Sequence, residues 1–207
     1  MKKYKAIIFD FDGTLVNSLD ILIRVYFSLK EEMGLPDINQ KDVERMRGMG
    51  VRQIISFLSL SYLKLPFYLF KVKEKFKDFM TDISPVNGMA FVLIELSKKY
   101  PLHILSSNDQ NIVFSVLNRF QINCFETVTS EINVFGKDYA LEKAISQLGY
   151  SNHEVLYVGD EIRDVLACQK IKMDCCAVSW GLNSNEVLKT KAPTYLISEP
   201  DELLKLL

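Results

Sequence analysis

The sequence predicts an α/β protein, a three-layer sandwich around a parallel central sheet, interrupted early by an inserted helical domain. Three observations carry this. From Gly88 onward, short apolar runs alternate with helical stretches, the rhythm of parallel strands joined by crossover helices. The first apolar run, Tyr4 to Phe9, stands apart from the others, with a long helical stretch and no convincing strand between them. The apolar runs also end in small or acidic residues, as buried parallel strands do where they open into loops.

At 207 residues the chain suits one core domain plus a modest insertion. The boundaries expected are 1–16 and 85–207 for the core and 17–84 for the insertion. Taken in order, Tyr4 to Phe9 is the first strand, and Ser18 caps a helix from Leu19 to Met33 that stops near Gly34 and Pro36. After Gly88 come a helix to about Lys99, a strand Leu102 to Leu105, a helix beyond Asp109 and a short strand Phe125 to Thr129. Strands Val155 to Val158, Cys175 to Val178 and Thr194 to Ile197 follow, separated by helices Asp138 to Leu148, Arg163 to Ile171 and a short one near Glu186.

Composition narrows the class. With 48% hydrophobic and 25% charged residues, the chain reads as a water-soluble globular protein. Its 25 Lys plus Arg against 26 Asp plus Glu leave a net charge of -1, which argues against a nucleic-acid partner. No apolar run reaches membrane-spanning length, and Asp10 and Asp12 interrupt the first one too early for a signal peptide, so the cytoplasm is expected and a membrane partner is not. The four cysteines form no C-x-x-C pair and only His103 and His153 could join them, so reduced thiols are expected rather than disulfides or a zinc site.

Ligands of open parallel sheets bind beyond the carboxyl ends of the strands, and four segments there carry possible chemistry. The first is Phe9-Asp10-Phe11-Asp12-Gly13-Thr14-Leu15, two carboxylates leaving a strand at a glycine that lets the backbone turn. One could attack phosphorus while the other protonates the leaving oxygen, although a D-x-D-G sequence alone also describes an acidic turn. The further ligands of a calcium loop are missing. The second is Ile104-Leu105-Ser106-Ser107-Asn108, whose hydroxyl and N–H groups could hold phosphate oxygens or simply cap the next helix. In the third, Phe135-Gly136-Lys137, a lysine opens a helix, where the dipole disfavours a cation unless an anion is bound nearby. The fourth, Gly159-Asp160-Glu161-Ile162-Arg163-Asp164, sets carboxylates four apart at a helix start. Together with Asp10 they suit a hard cation such as magnesium, or represent ordinary first-turn acidity.

In this order, around a helical insertion, the four segments resemble the haloacid dehalogenase superfamily, in its phosphoglycolate-phosphatase-like branch with a helical cap. The resemblance covers essentially the whole chain and implies a Rossmann-like core. It further implies Asp10 as nucleophile and Asp12 as general acid and base, with the Asp12 backbone carbonyl reaching magnesium. Ser106 and Lys137 would hold the phosphoryl group, and Gly13, Thr14, Ser107 and Asn108 would line it. Asp160 would bind Mg2+ directly, with Asp164 beside it and Glu161 less securely placed. Arg47 in the insertion would face an anionic end of the substrate, a small phosphorylated metabolite.

Asp12 favours phosphate esters over carbon–halogen bonds, since a halide needs no proton. A phosphomutase or a non-catalytic phospho-ligand binder shares the motifs, and a monomer or weak homodimer is expected. The chain departs from the family pattern at Asn17, where Asp is common, and at Lys172, where Gly is common. In the insertion, Lys64, Lys71, Lys73, Lys75 and Lys77 read as a solvated face. Phe67, Tyr68, Phe70, Phe76 and Phe79 read as apolar core or seam, and His103 as structural.

Overall fold

A computed structural model describes residues 4–130 and 136–207. Strand β1 (Ala6–Phe9) is followed by four α-helices, α1 (Leu19–Met33), α2 (Gln40–Arg47), α3 (Val51–Phe57) and α4 (Leu65–Lys77). Then come α5 (Met89–Ser97), β2 (Leu102–Ser106), α6 (Gln110–Arg119) and β3 (Phe125–Ser130). The chain continues through α7 (Lys137–Leu148), β4 (Val155–Gly159), α8 (Ile162–Lys170) and β5 (Asp174–Val178), and ends with α9 (Asn185–Lys189), β6 (Tyr195–Ile197) and α10 (Glu202–Leu206). The expected strands and helices are present, most with ends shifted by a residue or two, as hydrogen-bonded boundaries usually are.

The strands pair in parallel in the order β3-β2-β1-β4-β5-β6. Strand order therefore reverses at β1, which lies between β2 and β4, and this is the position where open α/β sheets bind their ligands. Alternation along β1 explains why it reads as a continuous apolar run. Ile7 and Phe9 pack on one face with Met89, Val92, Val113 and Val116 of α5 and α6, whereas Ala6 and Ile8 pack on the other with Leu141, Val165 and Cys168 of α7 and α8. Helices thus cover both faces.

The four-helix insertion leaves and re-enters the sheet layer through paired backbone. Asn17 donates its N–H to the Ser84 carbonyl at 2.9 Å, Val86 donates to Leu15 at 2.9 Å, and Val16 bridges antiparallel to Pro85. Ile21, Val25 and Leu29 of α1 and Phe76 of α4 join the same apolar cluster as Phe9 and Phe11, so the insertion rests on the sheet layer. Of the aromatic residues expected to be its core, Phe76 is buried, but Phe67 and Phe70 are 49% and 60% exposed. They sit on the outer side of α4, where the crowding of aromatics in sequence does not coincide with one buried helical stripe. Lys172 adopts φ +58, the left-handed region that glycine enters freely, which accounts for the glycine common at this point in the family pattern. No single helix among the described residues is long and apolar enough to cross a membrane.

The cysteines Cys168, Cys175 and Cys176 are buried, Cys124 is half-buried, and all four are free thiols. His103, on β2, is 2% exposed, with Nδ1 3.0 Å from the Thr127 hydroxyl. Burial holds its pKa below the ordinary histidine value, partly offset by Glu126. The unfolded chain therefore takes up this proton at a higher pH than the folded one, and folding stability falls as pH drops below about 6.5. Urea unfolding at pH 7.5 and 5.5 is expected to show a larger loss of stability for the native protein than for His103→Gln.

Candidate active site

Asp10 follows β1 directly and is 4% exposed. Its backbone N–H donates to Val158 of β4 at 2.8 Å, its Oδ1 accepts the Phe11 N–H at 2.7 Å, and its Oδ2 accepts from Lys137 Nζ at 2.7 Å. Lys137, at the first position of α7, is itself buried, lies 3.3 Å from Asp164 Oδ1 and stands 5.2 Å from the Tyr157 ring centre. Burial alone would lower its pKa, but the negative charges of Asp10 and Asp164 outweigh burial and raise it. A lysine that is locally unfavourable at a helix start is thus explained by the carboxylates it faces. Phe135, read with it in the sequence, lies outside the described residues.

Asp160, at the end of β4, is 1% exposed. Thr14 donates its hydroxyl to Asp160 Oδ1 at 2.9 Å, and the Leu182 N–H donates to Oδ2 at 2.7 Å. Asp164, on the first turn of α8, accepts the Glu161 N–H on Oδ2 at 3.0 Å, while its buried Oδ1 makes no hydrogen bond among the described residues. Glu161 pairs with Arg163 at 2.6 Å. Oxygens of Asp10, Asp160 and Asp164 lie within 4.8 Å of one another. Burial, then neighbouring carboxylates, raises the pKa of Asp160; burial also raises that of Asp164, against the opposing pull of Lys137. A divalent cation would relieve this crowding. An all-oxygen set, in which the buried Asp164 Oδ1 has the Lys137 ion pair but no hydrogen bond, fits a hard ion such as magnesium rather than zinc.

Asp12, two residues beyond Asp10, lies close enough to feel its charge. Its Oδ2 accepts from Asn108 Nδ2 at 2.8 Å, and its buried Oδ1 has no hydrogen-bond partner among the described residues. Burial and the charge of Asp10 push its pKa up to about 7, against the Asn108 amide and the Ser18 hydroxyl, which favour the charged form. A carboxyl poised there can both give and take a proton near neutrality. Ser106, 1% exposed at the end of β2, accepts the Asn108 N–H on its hydroxyl oxygen at 3.0 Å, leaving its own proton to donate.

Asp10, Lys137, Asp160 and Asp164 therefore meet directly, Asp12 lies close enough to Asp10 to feel its charge, and Asn108 links Ser106 to Asp12, while several other residues are fastened to partners of their own. Thr14 is fully buried and its hydroxyl donates to Asp160, so it helps to position that carboxylate. Asn108 is likewise committed to Asp12, and Ser18 turns towards Asp12 without making a side-chain cap bond to α1. Arg47 does not face the site as a free cation. Its guanidinium donates to the carbonyls of Ser179, Gly181 and Leu182, because the loop after β5 offers it three acceptors at 3.2–3.4 Å.

Sequence reasoning missed that loop. It contributes the Leu182 N–H to Asp160, and Asn183 clasps the Arg47 and Met49 carbonyls at 2.9 and 3.0 Å. Trp180 donates its ring N–H to the Thr14 carbonyl. The signal available was Ser-Trp-Gly directly after an apolar strand. Gly13, at φ +71, and Gly181 both press on Asp160, each leaving only 2.2 Å between a would-be Cβ and Oδ2. Gly181→Ala would also drive its methyl to 2.4 Å from the Gly13 carbonyl, a backbone atom that cannot step aside. It is expected to lower stability by about 1–3 kcal/mol in urea titration and, by displacing Asp160, to weaken magnesium binding measured by calorimetry.

The sequence profile of the haloacid dehalogenase-like hydrolase family matches residues 7–178. A phosphoglycolate phosphatase of Synechococcus elongatus is 32% identical over 203 residues, covering 97% of this chain and 96% of that protein. A pyrophosphatase of Bacillus velezensis is 26% identical, with coverage of 98% and 96%. Among solved structures, a haloacid dehalogenase-like family hydrolase from Streptococcus pneumoniae superposes with a TM-score of 0.85 at 22% identity, covering 100% of this chain and 99% of that one. The matching profile spans β1 through β5 and takes in every one of the converging carboxylates, and the chain belongs to the haloacid dehalogenase-like hydrolase family.

Proposed function

We propose that the protein is a magnesium-dependent phosphatase that hydrolyses a small phosphorylated metabolite, phosphoglycolate-like or a sugar phosphate, through an aspartyl-phosphate at Asp10. The observation that carries this is the pairing of two carboxylates in opposite settings on one loop: Asp10 held against Lys137 at 2.7 Å, and Asp12 raised to about 7 with one uncommitted oxygen. A nucleophile needs its charge, whereas a general acid needs its proton.

In the first step an Asp10 carboxylate oxygen forms a bond to phosphorus as the ester P–O bond breaks, and Asp12 gives its proton to the leaving oxygen. In the second step Asp12, now a carboxylate, takes a proton from water as that water attacks phosphorus. The acyl-phosphate bond breaks, returning the Asp10 carboxylate, inorganic phosphate and a protonated Asp12. Ser106 and Lys137 donate to the non-bridging oxygens throughout. Asp10 and Asp160, with Asp164 beside them and the Asp12 carbonyl on the same loop, would hold magnesium, which would supply positive charge against the transferring phosphoryl group.

We assign residues 17–84 the role of a cap over the core formed by 1–16 and 85–207, closing on the substrate and excluding water. The enzyme is placed in the cytoplasm as a monomer or weak homodimer.

Phosphate release from an aryl phosphate is expected to require magnesium and to disappear in Asp10→Asn while the melting curve is retained. Full activity in a folded Asp10→Asn protein would remove the proposal. Asp12→Ala is expected to slow alkyl phosphates, whose leaving oxygen needs a proton, by roughly 100-fold, and aryl phosphates far less. Steady-state rates on the two substrate types read the difference.

A further inference from the structure

The lysines of α4 differ from one another in a way their sequence spacing does not reveal. Lys71 pairs with Glu32, Lys75 with Asp78 at 2.8 Å and Lys77 with Glu74 at 2.7 Å. Lys73, half-buried, has no carboxylate partner among the described residues. Its ammonium instead points across from the insertion and donates to the Ser107 carbonyl at 3.4 Å. A neutral carbonyl engages one of its three N–H groups and leaves its charge uncompensated.

Its position is informative. Ser107 lies between Ser106, whose hydroxyl oxygen accepts the Asn108 N–H, and Asn108, which holds Asp12 at 2.8 Å. Lys137 and the carboxylate cluster approach from the ends of α7 and β4, so charge on the transferring phosphoryl group is already met there. Lys73 thus reaches the loop whose Asn108 holds Asp12, and in the proposed mechanism Asp12 protonates the leaving oxygen. Arg47, at the end of α2, is fastened to three carbonyls of the loop after β5.

We propose that Lys73 is the specificity-determining cation of the cap and binds an anionic oxygen group, a carboxylate or a second phosphoryl, carried by the leaving group. The proposal rests on the phosphatase reading for its substrate, but its test does not depend on turnover. Lys73→Gln keeps an N–H that can reach the Ser107 carbonyl and removes only the charge, while Lys73→Arg keeps the charge.

Calorimetric binding of phosphoglycolate, pyrophosphate and inorganic phosphate, with magnesium present and in an Asp10→Asn background so that ligands persist, separates the outcomes. Lys73→Gln is expected to weaken phosphoglycolate, pyrophosphate or both about tenfold, the worth of one charge-assisted hydrogen bond, with inorganic phosphate unchanged and Lys73→Arg close to the parent. A loss confined to phosphoglycolate identifies a carboxylate, and one confined to pyrophosphate a second phosphoryl group. Equal weakening of all three ligands, no weakening of any, or a parent protein that binds neither larger ligand more tightly than phosphate overturns the proposal. A second measure is kcat/KM with Asp10 intact. It should fall for the favoured ligand through KM and stay unchanged for p-nitrophenyl phosphate, whereas absence of any hydrolysis would overturn the phosphatase reading and leave the binding result standing.

Discussion

Asp10, Asp160 and Asp164 bring their oxygens within 4.8 Å of one another where almost no water reaches, and Lys137 is the cation that touches two of them. Burying one uncompensated carboxylate is costly, and burying three together is tolerable only when fixed positive charge and hydrogen bonds take up their oxygens. Much of the surrounding backbone is arranged for that end. The N–H groups of Phe11, Glu161 and Leu182 and the Thr14 hydroxyl each meet a carboxylate oxygen, and two glycines give Asp160 the room a side chain would fill. Burial, and then the neighbouring carboxylates, raises the pKa values of Asp160 and Asp164, a penalty that a divalent cation bound there would offset.

One loop joins this charge cluster to the helical insertion. Leu182 donates its N–H to Asp160 and its carbonyl accepts from Arg47 at the end of α2, while Asn183 grips the next backbone turn. A displacement of α2 therefore acts on the loop whose N–H orients the Asp160 carboxylate. The insertion is connected to the site by this contact as well as by the paired backbone at 15–17 and 84–86.

The parts legible in the sequence were those whose signal is local. Strand-end carboxylates announce themselves, since an apolar run that stops at Asp10 or Asp160 sets a charge at the mouth of a buried sheet, and β1 could be read as a buried strand because its run is continuously apolar, although its place in the sheet could not. Lys137 was legible through its conflict with the helix dipole. The residues read differently are those whose partner is far along the chain. Thr14 resembles a phosphate-binding threonine until Asp160, remote in sequence, is seen to accept its hydroxyl; Arg47 resembles a free cation until the loop after β5 is in place. Phe67 and Phe70 were misjudged because hydrophobicity was counted without knowing which side of α4 the sheet layer would cover.

Placing the insertion directly behind β1 also has a consequence for how the chain is made. The strand at the centre of the sheet is the first to be synthesised, yet its two neighbours begin at Leu102 and Val155. Until then Ala6-Ile7-Ile8-Phe9 has neither edge paired and neither face covered, while the insertion helices can already form local structure behind it. Assembly of the sheet must wait for contacts of long sequence separation, which slows folding and leaves a sticky segment exposed on the nascent chain. The order that puts Asp10 at the switch point makes β1 the strand of this sheet most dependent on protection during translation.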